Sequence, residues 1–468
     1  MKEVKNILAK YHYLMIGVVV SVLTFRIHKN DSFFVGDDFQ VYQSWKNPNS
    51  LLSNNITAIR DFSLDKWRPL NSFATSTVMS TINSYNDWNI LGLILWLIIL
   101  FLMFKTRNSW SQTNGAHLAV GMVVVSLSPT LWFVQNSVFV FLELGPIIGL
   151  LCGLILLEKA NTTQSKVYIL YSALSTGAAG LFHERFYLAS LVLGLACYLR
   201  SRKYQVYKSG YLLFFVIPHI WFYSMTILLR ANPLRGGGEV GLSNSFGPWI
   251  LQNLNRAFIE MFWVGGEIIY LGTNNVETIH YFGTAVLLVG LCVFSYLIQK
   301  NLGYRGLETW LLVFACAFPA GLVYERIELR WLLAPTVFLC LLAWMVLDLA
   351  KTRVVKALTL SLIVAVGVLT ITVQTKFKEY EKWRTDTQKI VNYAASNAPL
   401  AGEWHLSIEL FDDSELWRQW ALGNGAVFSE NISNGPWTYM QYLEECPINC
   451  IKLLVSEKDG ELVIERKK

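Results

Sequence analysis

Long apolar runs separated by short polar breaks divide this chain from end to end. The runs cover residues 12–27, 88–104, 116–134, 137–157, 167–182, 186–200, 210–229, 281–299, 307–323, 331–350 and 357–375. Most approach the 20 or so residues that a helix needs to cross the hydrocarbon core of a bilayer, giving about eleven spans. Composition agrees, with 53% hydrophobic and 15% charged residues, where a soluble domain carries about 25% charged. The first run follows Lys2, Lys5 and Lys10, as a signal peptide would. However, it ends in Thr24-Phe25-Arg26-Ile27-His28, without a small-residue cleavage site, and reads as an uncleaved first span.

The polar breaks set a topology. Lys105 and Arg107, then Lys159 and Lys166, then Arg200, Arg202, Lys203 and Lys208 fall on one side. Lys300 and Arg305 join them, as do Lys351, Arg353 and Lys356. Basic residues collect on short cytoplasmic loops, so this side and the N-terminus are expected in the cytoplasm, and the C-terminus outside. The net charge of +6 has the same origin and calls for no nucleic acid. The expected fold is therefore an all-α polytopic membrane protein with a small extracytoplasmic α/β domain at its C-terminus. Residues 1–375 form the membrane domain, with outer loops at 28–87 and 230–280, and residues 376–468 form the outer domain.

The outer segments have features of their own. In the first loop Tyr42, Trp45, Leu51 and Leu52 fit an interfacial amphipathic helix, and Pro69 opens another helix. The second loop contains Arg230, Arg235 and the mobile triplet Gly236-Gly237-Gly238. In the tail, 376–397 fits an amphipathic helix and His405–Leu410 alternates like a strand. Ile451–Ser456 and Glu461–Glu465 read as a hairpin. Five cysteines (Cys152, Cys197, Cys292, Cys316 and Cys340) lie in or beside apolar runs as packing residues. Cys446 and Cys450 fit a disulfide if the tail faces an oxidising compartment.

Candidate chemistry gathers at the outer helix ends. Phe33-Phe34-Val35-Gly36-Asp37-Asp38-Phe39 places two adjacent carboxylates just past the first span. One carboxylate suits deprotonation of a hydroxyl, and its neighbour can raise its pKa or help hold a divalent cation. The competing reading is a solvated turn or a helix cap. Phe182-His183-Glu184-Arg185 and Tyr324-Glu325-Arg326, the latter followed by Arg330, each put an aromatic, a Glu and an Arg at a helix mouth. Arg suits a phosphate because its planar fork donates two parallel hydrogen bonds. Alternatively, each Glu neutralises an Arg and pins two helices together. Arg68, beside Trp67, is a further phosphate or sugar contact or else a snorkelling interfacial residue. Glu143, inside an apolar run, is expected to be hydrogen-bonded within the bundle. His183 and Glu184 form no zinc motif, because neighbouring residues point to different faces of a helix.

The stretch Gly36-Asp37-Asp38-Phe39 directly after the first span, with Trp67-Arg68-Pro69 following, resembles the GT-C superfamily of integral-membrane glycosyltransferases. Protein O-mannosyltransferases and the aminoarabinose lipid A transferase are members of that group. The resemblance implies transfer of a hexose or pentose from a polyprenyl-phosphate donor to a hydroxyl of a glycan, lipid or protein. Transfer would take place on the extracytoplasmic face of the inner (plasma) membrane, with inversion. Asp37 or Asp38 would be the base. Arg68, Arg185, Arg326 and Arg330 would meet the donor phosphate, supported by His183, Glu184 and Glu325. Some members hold a divalent cation, Mg or Mn, at the acidic pair and others hold none. A polysaccharide polymerase or ligase acting through Arg230 and Arg235 is the alternative, as is a flippase for lipid-linked saccharides.

Overall fold

The computed structural model describes residues 14–26, 68–79, 85–108, 116–128, 140–228, 269–270, 278–322, 326–327, 329–349, 404–410, 437–441, 450–458 and 461–467. It also describes the isolated positions 81, 131, 134, 135, 353, 357, 389 and 393. The helices are α1 (Leu14–Arg26), α2 (Pro69–Met79), α3 (Tyr85–Asn108), α4 (Ala116–Ser126) and α5 (Val140–Thr163). They continue with α6 (Val167–Phe182), α7 (Tyr187–Ser201), α8 (Leu213–Leu228), α9 (Thr278–Leu322) and α10 (Leu333–Leu349). Among the described residues, Asp87–Thr106 within α3 and Val140–Thr163 are long and apolar enough to cross a membrane. Leu14–Arg26, Val167–Phe182, Gly210–Ile220 and Leu333–Met345 are shorter apolar helices. The run expected over 116–134 is helical to Ser126, turns at Leu127 and is helical again at Leu131 and Val134, and 357–375 lies almost wholly outside the described residues.

The α5–α6 pair is the closest helix contact in the bundle. Gly145, Gly149 and Gly153 recur every fourth residue along one face of α5. A Cβ on Gly149 would sit 2.8 Å from the Ser175 carbonyl oxygen, and one on Gly153 would sit 2.3 Å from Thr176 Cγ2. The bare backbone therefore lets α6 approach. Ser175 and Ser172 of α6 then donate to the Gly149 and Gly153 carbonyls at 2.9 and 2.8 Å. Small residues joined by hydrogen bonds suit helices in apolar surroundings, where burial of side chains adds little drive. A second polar joint links three other helices: Ser21 of α1 donates to Ser126 of α4 at 2.8 Å. Trp96 Nε1 of α3 donates to Ser21 at 3.1 Å.

Helix α9 is a hairpin, not one long rod. Gly303 interrupts it with φ 70° and ψ −163°, a region open to glycine. Trp310 Nε1 reaches Ser295 Oγ at 3.0 Å. Residues that far apart on a straight helix would be separated by about 22 Å, so the chain folds back at Gly303. The expected break over 300–306 thus shrinks to a single residue.

A four-stranded sheet is formed by β3 (Trp404–Leu410), β4 (Trp437–Gln441), β5 (Cys450–Lys458) and β6 (Glu461–Lys467), in the order β4-β3-β5-β6. Strand β3 runs parallel to both β4 and β5. Strands β5 and β6 are antiparallel, and Lys458 pairs with Glu461 at the hairpin end. The expected strand and hairpin are both present. A short antiparallel pair, β1 (Ile269–Tyr270) with β2 (Arg326–Ile327), matches Tyr270 to Arg326. It joins the stretch just before α9 to the segment that leads into α10.

Candidate functional site

Two buried charge clusters sit at opposite ends of α5, because Glu143 opens that helix and Glu158 lies near its close. Fifteen residues of helix separate them by roughly 22 Å. One end gathers the helix mouths expected outside, the other the basic loops expected in the cytoplasm.

At the first end α6 stops at Phe182, and His183 adopts an extended conformation with φ −153° and ψ 127°. A one-turn 3-10 helix, Glu184–Phe186, then leads into α7. The extended backbone at His183, just ahead of this turn, sets its side chain beside that of Glu184. His183 Nδ1 lies 3.1 Å from Glu184 Oε2, so the expectation that the two point apart is corrected. Glu184 also receives both arms of a guanidinium. Arg68 Nε donates to Oε2 at 2.7 Å, and Arg68 Nη2 to Oε1 at 2.6 Å. Arg68 directly precedes α2, whose first residue is Pro69 as expected.

Arg185 turns the other way. It donates to Glu143, whose side chain is fully buried. Its guanidinium carbon lies 4.8 Å from the Phe186 ring centroid and 5.9 Å from that of Trp331. Three elements far apart in sequence, the α5 start, the α6–α7 turn and the segment before α10, thus meet around one cation. Glu143 is hydrogen-bonded within the bundle, as its apolar setting suggested.

Electrostatics divides the roles here. Burial, with the Arg68 charge beside it, holds the His183 imidazole well below its usual range, so it is neutral near pH 7. Burial pushes the Glu184 carboxyl up, but the Arg68 guanidinium and then His183 more than offset this. The result is a carboxyl held well below the usual carboxylate range, ionised and fixed by the Arg68 fork. Chemically, the cluster offers a neutral imidazole within hydrogen-bond distance of a carboxylate that is ion-paired to Arg68. Both Arg68 and Arg185 direct nitrogens toward carboxylates, so a phosphate reaching either would have to share or displace a glutamate.

Arg326 and Arg330 are placed by their backbones, in β2 and in the 3-10 turn Leu329–Leu332. Trp331, next in the chain, is the residue packed toward Arg185. Asp37, Asp38 and Glu325 lie outside the described residues, as do Arg230 and Arg235. Among the described residues no three His, Cys, Asp or Glu side chains group together as metal ligands.

The opposite end holds a cluster that the basic-loop pattern concealed. Arg200 donates to Glu308 Oε2 at 2.7 Å and to the Tyr207 hydroxyl at 3.0 Å. It also lies 3.7 Å from Glu158, which in turn pairs with Arg305. Tyr207 donates to the Leu157 carbonyl at 2.9 Å. Arg200, Glu158 and Glu308 are buried. Arg200 and Arg305 are therefore not solvated loop charges but halves of ion pairs joining α5, α7 and α9. The signal was present in Glu158 and Glu308, two acids in apolar runs at the same level as the basic residues.

No family model matches this chain, and no curated protein matches it either. Among solved structures it is similar to an archaeal oligosaccharyltransferase, AglB from Archaeoglobus fulgidus, in complex with an inhibitory peptide and a dolichol-phosphate. That likeness has a TM-score of 0.47 and 12% identity, covering 88% of this chain and 64% of the other. The apo form of the A. fulgidus oligosaccharyltransferase is similar with a TM-score of 0.45, at 12% identity and the same coverage. The chain thus spans 64% of the length of the solved structures it matches.

Proposed function

We propose that this protein is an integral-membrane glycosyltransferase moving a sugar from a polyprenyl-phosphate donor to a hydroxyl acceptor on the extracytoplasmic face, with inversion. The observation that carries the reading is the convergence of Arg68, His183, Glu184, Arg185 and Glu143 at one end of the bundle. Arg68 belongs to the same outer loop, 28–87, as Asp37 and Asp38. In this reading one of the two aspartates deprotonates the acceptor hydroxyl, and cations at the helix mouths meet the charge that develops on the leaving phosphate. Arg326 and Arg330 are candidates for that contact together with Arg68 and Arg185, which would have to share their glutamates with the phosphate. His183 and Glu184 hold Arg68 in place.

Membrane location is part of the proposal. It is supported by helices whose outward faces are apolar: Ile90, Ile94, Ile98 and Phe101 lie along one stripe of α3 and are 40–48% exposed. In water such a stripe would be an aggregation liability; in a bilayer it faces lipid.

The test is transfer from lipid-linked donor in membranes carrying Asp37→Asn or Asp38→Asn at unchanged protein level. At least one substitution abolishes transfer; full activity in both ends the proposal. Adding a chelator to the same assay decides the metal. Loss of transfer that Mg or Mn restores shows that a divalent cation is required, and a raised Mg or Mn requirement in Asp37→Asn or Asp38→Asn assigns it to the acidic pair. A polymerase or ligase is the second reading, favoured by the pairing of Tyr270 with Arg326, which brings the 230–280 loop to the same mouth. It requires Arg230 and Arg235, and not the aspartates, to be essential.

A further inference from the structure

Three helices end alike at the level of the Arg200–Glu308 cluster. Lys105 Nζ lies 5.3 Å from the Phe101 ring centroid at the end of α3. The Arg202 guanidinium lies 5.5 Å from the Tyr198 ring at the end of α7. Lys300 Nζ lies 5.9 Å from the Tyr296 ring at the end of the first arm of α9. In each pair the ring is four residues before the cation, so both share a face and the cation stands one turn nearer the helix end. All three helices finish at the same end. Glu158 pairs with both Arg200 and Arg305 there, and the start of α3, at Gly92, packs on the start of α5, at Val140.

The rings are exposed, Phe101 by 43%, Tyr198 by 39% and Tyr296 by 63%. A cation over an aromatic face is held without losing its water-facing side. Lys159, Lys203 and Lys208 at this end are exposed and basic too, and Glu158 and Glu308 are buried in ion pairs. Outward from the bundle midplane, α3 presents Ile94 and Ile98, then the Phe101 ring, then Lys105. That order matches a phospholipid read from acyl chain through glycerol to phosphate.

We infer that these three ring-and-cation pairs form a collar that binds the headgroups of anionic phospholipids at the end of the bundle opposite the proposed transfer site. The inference rests on the membrane location in the reading above, but not on its chemistry. A soluble polyanion would satisfy the cations and leave the rings in water; a lipid covers both.

The full chain, purified in neutral detergent, is loaded with equal amounts of phosphatidylglycerol and phosphatidylcholine, and retained lipid is counted by native mass spectrometry. The native protein retains phosphatidylglycerol preferentially, and Lys105→Gln/Arg202→Gln/Lys300→Gln reduces that preference by roughly tenfold or more. Lys105→Arg/Lys300→Arg keeps it, showing that charge at those positions is what matters. Equal retention of the two lipids by the native chain, or full preference in the triple variant, overturns the collar. Displacement of the bound lipid by inorganic phosphate alone also overturns it, because the site would then recognise a free anion. Release of the chain from membranes by carbonate would instead sink the membrane reading itself.

Discussion

Arg68 and Glu184, 116 residues apart, are joined by two parallel hydrogen bonds of 2.7 and 2.6 Å. The pair fastens the start of α2 to the turn between α6 and α7. Arg68→Lys keeps the charge but loses the planar fork. It is expected to destabilise the protein by about 1–3 kcal/mol, as loss of a charge-assisted bond does. Pairing it with Glu184→Gln in a double-mutant cycle, read by thermal unfolding in detergent, gives a coupling energy of the same order. Additive effects would show that the two side chains do not act together.

Arg185 and Glu143 are more deeply buried, at 3% and 0% side-chain exposure. Removing one partner leaves an uncompensated charge, which typically costs about 3–5 kcal/mol. Arg185→Met and Glu143→Leu should therefore each lower folded yield sharply, while the double substitution recovers much of it. A double variant as unstable as the sum of the two singles would mean that each residue is held by other partners.

His183 confers a pH dependence of known sign. Its folded pKa lies below that of the unfolded chain, about 6.5, because burial and Arg68 disfavour the imidazolium. The unfolded state thus binds more protons as pH falls, and stability present above about pH 6.5 is lost as pH drops from there toward the folded pKa. The slope approaches 1.4 kcal/mol per pH unit for one such group. Melting temperatures measured between pH 7.5 and pH 5 should decline, and His183→Gln should flatten the decline. An unchanged slope in that variant would assign the effect to other groups.

Gly149 meets the Ser175 carbonyl oxygen where a Cβ would stand, 2.8 Å away. Backbone cannot swing aside as a side-chain tip can, so Gly149→Ala must push α6 off α5. The expected cost is about 1–3 kcal/mol, as for overpacking elsewhere. At Gly303 the same substitution meets nothing within 4 Å and opposes only the backbone, whose φ of 70° and ψ of −163° fall in a region essentially restricted to glycine, costing about 1–3 kcal/mol. Ala and Ser should therefore be equally costly at 303, whereas at 149 the larger residue should be worse. Equal penalties at both sites would contradict the close approach of α5 and α6.

Much was readable from local pattern because it depends on local physics. Val167–Phe182 begins and ends where its apolar run does, Pro69 opens α2, and the 450s and 460s form the expected hairpin. The glycine triplet of α5 at every fourth residue, and the aromatic residues four before Lys105, Arg202 and Lys300, were equally visible as spacing. Their meaning depended on which helix face met a neighbour. Charge partners were the least legible. Each mouth Glu could have neutralised the Arg next to it in sequence, yet Glu184 takes Arg68 and Arg185 takes Glu143. The 3-10 turn sends adjacent side chains in opposing directions, and a buried guanidinium bonds to whichever carboxylate the packing brings near.

By itself the sequence determined the apolar runs, the basic breaks between them, several helix limits and three of the four strands of the C-terminal sheet, β4 excepted, because these follow from side-chain polarity, backbone propensity and turn chemistry. Only the tertiary structure decided that α9 folds back at Gly303, that Arg200 is buried with Glu308 while the half-buried Arg305 pairs with the buried Glu158, and that Arg68 reaches the α6–α7 turn. Polarity states how much water a residue should lose; which partner replaces that water depends on three-dimensional neighbours that no local pattern encodes.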